Sequence, residues 1–186
     1  LCLHSVSETT SLPANPSIRA WNTFRFSRQG IHDSVGSARY AAKIAEEKDL
    51  KTWMSVNPDY AYGRDSDDTF FWALEQFSPG SKIIGKGWPK IFQPDYTEVI
   101  TQIARKKPDA VYTSLWGGDL VSFIDQASLY GIFKNTELFA INLADYTTMS
   151  AIKNLPEGLH SGTRYVAAWP NTQDNRDYDK SYTDLY

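Results

Sequence analysis

The stretch "PDYTEVITQIARKKPDAVYTSLWGGDLVSFIDQASLYGI", residues 94–132, decides the fold. Tyr96, Val99, Ile100 and Ile103 stand at i, i+3, i+4 and i+7, so residues 95–106 read as a helix with one apolar stripe. Arg105 and Lys106 gather in its last turn, where positive charge suits the helix dipole, and Pro108 stops it. "DAVYTSL" (109–115) then reads as a buried strand and "WGG" as a turn. Asp119–Tyr130 reads as a second helix with Leu120, Phe123, Ile124 and Ala127 inward, and Gly131 suits its C-terminal cap.

The same alternation extends in both directions. Upstream, Ile31, Val35, Ala38, Ala42 and Ala45 predict a helix over 29–46. "LKTWMSV" (50–56) predicts a strand, 65–77 a helix with Phe70, Phe71, Leu74 and Phe77 on one face, and "KIIGKGW" (82–88) another strand. Downstream, "TELFAIN" (136–142) and "GLHSGTRYVAAW" (158–169) read as strands, with "YTTMSAIKNLP" short and helical or irregular between them. Residues 1–27 read as loop with short extended pieces, "WNTFRF" being the best strand, and the polar tail from Pro170 begins another helix at its end.

Strands spaced by helices predict an α/β fold with a doubly wound parallel sheet, because parallel neighbours need a crossover. Ligands of such sheets sit beyond the carboxyl ends of the strands. The loops to weigh are therefore 57–64, 88–94, 116–118 and 142–146.

Composition narrows the classes. The chain has 186 residues, enough for one substantial core or two small ones. Its 41% hydrophobic and 22% charged residues are those of a soluble globular protein. With 19 Lys plus Arg against 22 Asp plus Glu, it has no basic field for a phosphate backbone, so no nucleic-acid partner is expected. No run approaches the ~20 apolar residues that span a bilayer. "LCLHSVSETT" does not read as a signal peptide, and without an initiator Met the chain is expected to be an interior piece of something longer. The lone Cys2 rules out an internal disulfide scaffold or a thiolate zinc site.

Catalytic and cofactor patterns are missing. No GxGxxG or GxxxxGK[ST] follows a strand, and no GxSxG elbow is present, so no cofactor and no catalytic residue is assigned. His4, His32 and His160 lack metal-ligand spacing and read as surface or packing residues, so no metal is expected. "RDSDD" (64–68) reads as a helix start, its acids capping amides and complementing the dipole. Aromatic content, however, is 14%, with 6 Trp and 11 Tyr. The loops after the first, third and fourth strands of the alternation carry Tyr60, Tyr62, Trp116, Asn142, Asp145 and Tyr146. They suit a small organic molecule with a planar or apolar body, or else a neighbouring domain against which the rings pack. "HSVSETTS" (4–11) is rich in hydroxyls and reads as local turns.

"YAYGRD", "ALEQF" and the opening stretch, taken in order, resemble the second lobe of the type I periplasmic binding proteins, in particular the branched-chain amino-acid-binding group that serves ABC importers. The resembling pieces are a tyrosine-glycine after the lobe's first strand, Asp95-Tyr96 opening the next helix, the "KKPDAVY" strand entry and a helix ending at Gly131; "NTFRF" resembles the crossover into that lobe. The resemblance covers roughly residues 20–165. It implies two α/β lobes closing by a hinge on one small ligand, with 1–27 a remnant of the first lobe and crossover, 28–165 the second lobe, and 166–186 an incomplete crossover back. It implies a non-enzymatic solute-binding protein for an amino acid or related small carboxylate, periplasmic or extracellular, with a membrane permease as partner. A ligand-sensing receptor or regulator of the same fold, for amides, urea or aromatic acids, is the alternative. An α/β enzyme is a third class, for which the sequence offers no base and nucleophile.

The ligand residues that the resemblance implies are Tyr62 from the first loop, Trp116 after the third strand, and Asn142 where the family carries a carboxylate for the ligand's ammonium. That departure matters because an amide cannot neutralise a buried ammonium. Asp145 substitutes if the loop brings it inward; otherwise the ligand lacks an amine. Tyr146 belongs to the same loop. Ser5 and Ser7 lie about where the first lobe offers hydroxyls to the ligand carboxylate. Tyr60 is expected to be a rim or packing residue, and Gly63 to let the chain turn into the helix.

Overall fold

The computed structural model describes residues 2–3, 17, 24–25, 30–163, 165 and 167–185. Two short parallel strands, β1 (Cys2–Leu3) and β2 (Phe24–Arg25), pair with each other. After them come α1 (Gly30–Lys48), β3 (Thr52–Val56), α2 (Ala61–Phe77), β4 (Lys82–Gly87), α3 (Thr97–Lys106) and β5 (Ala110–Thr113). They are followed by α4 (Gly117–Leu129), β6 (Glu137–Ala140), α5 (Tyr146–Ala151), β7 (Leu159–His160) and α6 (Gln173–Leu185). Strands β3 to β7 form one parallel sheet in the order β4-β3-β5-β6-β7. The expected doubly wound sheet is present.

Side chains alternate across these strands, so the central strands β3, β5 and β6 each feed two cores. Trp53, Ala110, Tyr112, Phe139 and Ile141 face α1 and α2. Met54, Val56, Val111, Leu138 and Ala140 face α3 and α4. Helix α1 meets α2 through Ala38, Ala41, Ala42 and Ala45, whose small side chains permit a close approach. The predicted stripe of α3 is buried at Tyr96, Val99, Ile100 and Ile103, and Lys107, at φ 49°, ends that helix ahead of Pro108.

Several boundaries move. Helix α2 begins at Ala61 rather than Asp65, since the chain has already turned at Pro58-Asp59 and Tyr60 is the extended N-cap residue. The acids of "RDSDD" therefore do not cap the helix. Asp67 is fully buried, pairs with Lys86 and accepts a hydrogen bond from Asn57. Phe77, in the last turn, is 46% exposed instead of inward. Among its described residues, the expected strand over 158–169 contributes only Leu159–His160 to the sheet. There the Ser161 hydroxyl donates to the Ala140 carbonyl (2.7 Å) and accepts the Ala144 amide (3.1 Å), so a side chain replaces the ladder.

Candidate functional site

Strand β3 sits between β4 and β5, so the chain leaves its carboxyl end in one direction and that of β5 in the other. This switch point opens a crevice in doubly wound sheets. Two buried asparagines build its floor. After β3, Asn57 accepts from the Ser114 amide (2.7 Å) and hydroxyl (2.8 Å), while its own amide donates to Asp67 (3.0 Å). After β6, the Asn142 amide donates to the carbonyls of Ser114 (3.1 Å) and Leu115 (3.2 Å) and to the Tyr62 Oη (3.1 Å). The peptide leaving β5 is thus held from both sides. Paired buried polar groups of this kind fix one geometry, because each unmade bond would carry its full desolvation cost.

Above this floor runs a series of rings. Tyr62 is buried, and its ring centroid lies 5.9 Å from that of Tyr60. The Trp116 indole donates to the Tyr60 Oη (3.3 Å), and Phe92 meets Trp116 edge to face at 6.1 Å. Burial pushes the Tyr62 phenol above its ordinary value, with the Asn142 hydrogen bond opposing; burial does the same to Tyr60, against the Trp116 hydrogen bond. Both phenols are therefore neutral and can donate as well as accept. Nearby charge is engaged: Arg64 lies over the Trp88 ring (3.6 Å) and pairs with Asp59, and Asp119 accepts the Phe92 amide.

Gly63 lies inside the first turn of α2, not at a bend before it, and a Cβ there would overlap the Pro58 carbonyl oxygen. Gly63→Ala is expected to cost about 1–3 kcal/mol in chemical denaturation, because the turn carrying Tyr60 must shift; an unchanged midpoint would mean that Pro58 yields freely.

The structure brings Tyr62 and Asn142 together and joins Trp116 to them through Tyr60. Asp145 and Tyr146 stand exposed at the start of α5. Asp145 lines a different cavity of about 350 Å³ with His32, Tyr40, Phe139 and His160. Ser5, Ser7 and His4 lie outside the described residues. His160 stacks on Phe139 (4.6 Å) and bonds Glu137 (2.7 Å), a packing role. Among the described residues, no cluster of three or more His, Cys, Asp or Glu is placed to hold a metal, and no helix is long and apolar enough to cross a membrane.

Three contributors were not legible as such. Asn57 and Ser114 carry no motif; only their place at strand ends could have singled them out. Phe92 lies in a loop worth weighing, but nothing local marks its left-handed backbone.

A family model described as periplasmic binding protein matches residues 6–186. No curated protein matches the chain. Among solved structures, an ABC transporter substrate-binding protein from Sphaerobacter thermophilus has a TM-score of 0.73 at 23% identity, over 94% of this chain and 46% of that one. A solute-binding protein of an ABC transporter from R. palustris, in complex with benzoate, has 0.71 at 20%, over 89% and 43%. The leucine-, isoleucine-, valine-, threonine- and alanine-binding protein from Brucella ovis, in a closed conformation, has 0.70 at 18%, over 88% and 40%. At these identities the likeness is one of fold, and the chain spans less than half the length of each of the three.

Proposed function

The chain belongs to the periplasmic binding protein family, and from that premise we propose that it is part of the substrate-binding component of an ABC importer, capturing an amino acid or related small carboxylate. In this reading residues 28–165 are the second α/β lobe, 1–27 come from the first lobe and its crossover, and 166–186 lead back towards it. The ligand is held in the cleft between lobes, hinge closure commits it, and a membrane permease receives it from the periplasm or the cell exterior. Only a ligand with higher affinity for the closed state drives that closure.

The observation that carries this reading is the run of Tyr62, Tyr60 and Trp116 over the Asn142 hub at the switch point of the sheet. Apolar ring faces with a few convergent donors suit a small organic ligand. Tyr62 would bond or stack on it, Trp116 would form the opposite wall, and Asn142 would set the polarity between them. Asp145 and Tyr146 would reach it from the rim, and Ser5 and Ser7 would offer hydroxyls to its carboxylate. The acids beside the slot are spent on structure, Asp67 on Lys86 and Asp119 on Phe92, which supports binding rather than turnover. Of the structures named above, one is in complex with benzoate and another is named for binding leucine, isoleucine, valine, threonine and alanine, all small carboxylates, which supports that ligand class.

A thermal-shift screen of the full-length protein, pairing each common amino acid with the acid that lacks its amine and including benzoate, tests this. Stabilisation by at least one small carboxylate is expected; silence across the whole panel would overturn the reading. With the best ligand, Trp116→Ala should weaken binding about tenfold without lowering the unfolding midpoint, because Trp116 is already 42% exposed. An unchanged affinity would remove Trp116 from the site.

A further inference from the structure

We propose that Phe92 is a specificity-determining residue of this same site and that the ligand is an aromatic carboxylic acid whose ring packs into the corner between Phe92 and Trp116. The inference rests on the solute-binding reading above and narrows it.

Phe92 is 74% exposed, so its ring adds little to the core. Its backbone is nevertheless held at φ 59°, a region bulky residues seldom occupy. What holds it is Asp119, only 6% exposed, whose two carboxylate oxygens accept the Phe92 amide at 3.1 and 3.0 Å. The rest of the loop is pinned as well. The Pro89 carbonyl accepts the Asp59 amide (2.9 Å), and Gln93 accepts the Lys90 amide (2.9 Å). Gln126 holds the Pro94 carbonyl (3.0 Å) and the Tyr96 amide (2.9 Å). Strain maintained by such support clusters at ligand sites, and a backbone held in place before binding loses little entropy on contact.

The placement of Phe92 favours a small ligand. Its ring is perpendicular to Trp116, at 79°, so the two form the sides of a corner. Trp116 leads through Tyr60 to Tyr62 and the buried Asn142, a chain of contacts from exposed apolar rings to neutral phenols. A planar acid matches that sequence of surfaces, with its ring at the corner and its carboxylate towards the phenols. The buried acids nearby are already engaged, Asp119 by the Phe92 amide and Asp67 by Lys86, which disfavours an α-ammonium there.

Titration calorimetry of the full-length protein with benzoate and with leucine as probes tests the proposal, using the wild type, Phe92→Ala and Phe92→Tyr. Benzoate is expected to bind the wild type, to lose about tenfold in affinity with Phe92→Ala, and to be restored by Phe92→Tyr. Unchanged benzoate affinity in Phe92→Ala would overturn it and leave Phe92 to a macromolecular partner, with the solute-binding reading intact. Binding of leucine but not benzoate would also overturn it alone. Binding of neither, together with silence in the wider acid screen, would remove both readings.

Discussion

Phe70→Ala is expected to lower the unfolding free energy by about 3–5 kcal/mol, the largest single effect on this chain. The ring is fully buried between α2 and the sheet. It stacks on Tyr112 of β5 at 3.7 Å and 9°, lies 6.0 Å from Trp53 of β3, and meets Phe71 edge-on at 5.2 Å. Removing it leaves a hole walled by two large rings that cannot both collapse inward, so the transfer loss and the cavity loss add. Urea denaturation of the wild type and variant would measure this as a lower midpoint at unchanged slope. A change below about 1 kcal/mol, under the range such truncations show, would mean that this face of α2 is not seated on the sheet.

Asn142→Asp is expected to destabilise by about 3 kcal/mol near neutral pH, the penalty of a buried charge that has lost its partners. The Asn142 nitrogen donates to two backbone carbonyls and a phenol oxygen. An isosteric carboxylate turns that meeting into one between acceptors. Burial and the facing carbonyls favour its neutral form, so its folded pKa is raised above the unfolded value. The variant then recovers stability at low pH, where a protonated carboxyl can donate once. It loses that stability as pH rises through the folded pKa. Melting curves from acid to neutral pH should therefore diverge from the wild type upward in pH. A constant offset would mean that the side chain turns away and the hub re-forms without it.

The same substitution bears on ligand choice. The resemblance implies a protein carboxylate for the ligand's ammonium near position 142, and the amide that stands there instead binds the peptide leaving β5. In the full-length protein the introduced carboxylate would oppose benzoate and favour an ammonium. A shift of preference towards leucine would fit the reading in which the neutral hub excludes amines.

The sheet was legible because its signals are local. Helix stripes such as Tyr96, Val99, Ile100 and Ile103, and apolar runs such as 50–56, record which faces are buried whatever they are buried against. Tyr62, Trp116 and Asn142 could be placed near one another for the same reason, since all follow strands at the same end of a parallel sheet. Element ends were less legible. Whether α2 starts at Ala61 or Asp65 depends on Pro58 and Tyr60 supplying the turn, and whether β7 continues past His160 depends on the Ser161 hydroxyl reaching Ala140.

By itself, then, the sequence determined the α/β class, the winding of the sheet and the end of it where the loops gather, because periodic burial is written residue by residue. Only the tertiary structure decided that Asn57 and Asn142 clasp one peptide from opposite sides, that Asp67 serves Lys86 rather than a helix end, and that Asp119 holds Phe92 outward. A polar side chain has several partners within its chemical means. Which one it takes is chosen by the fold that brings distant strand ends together.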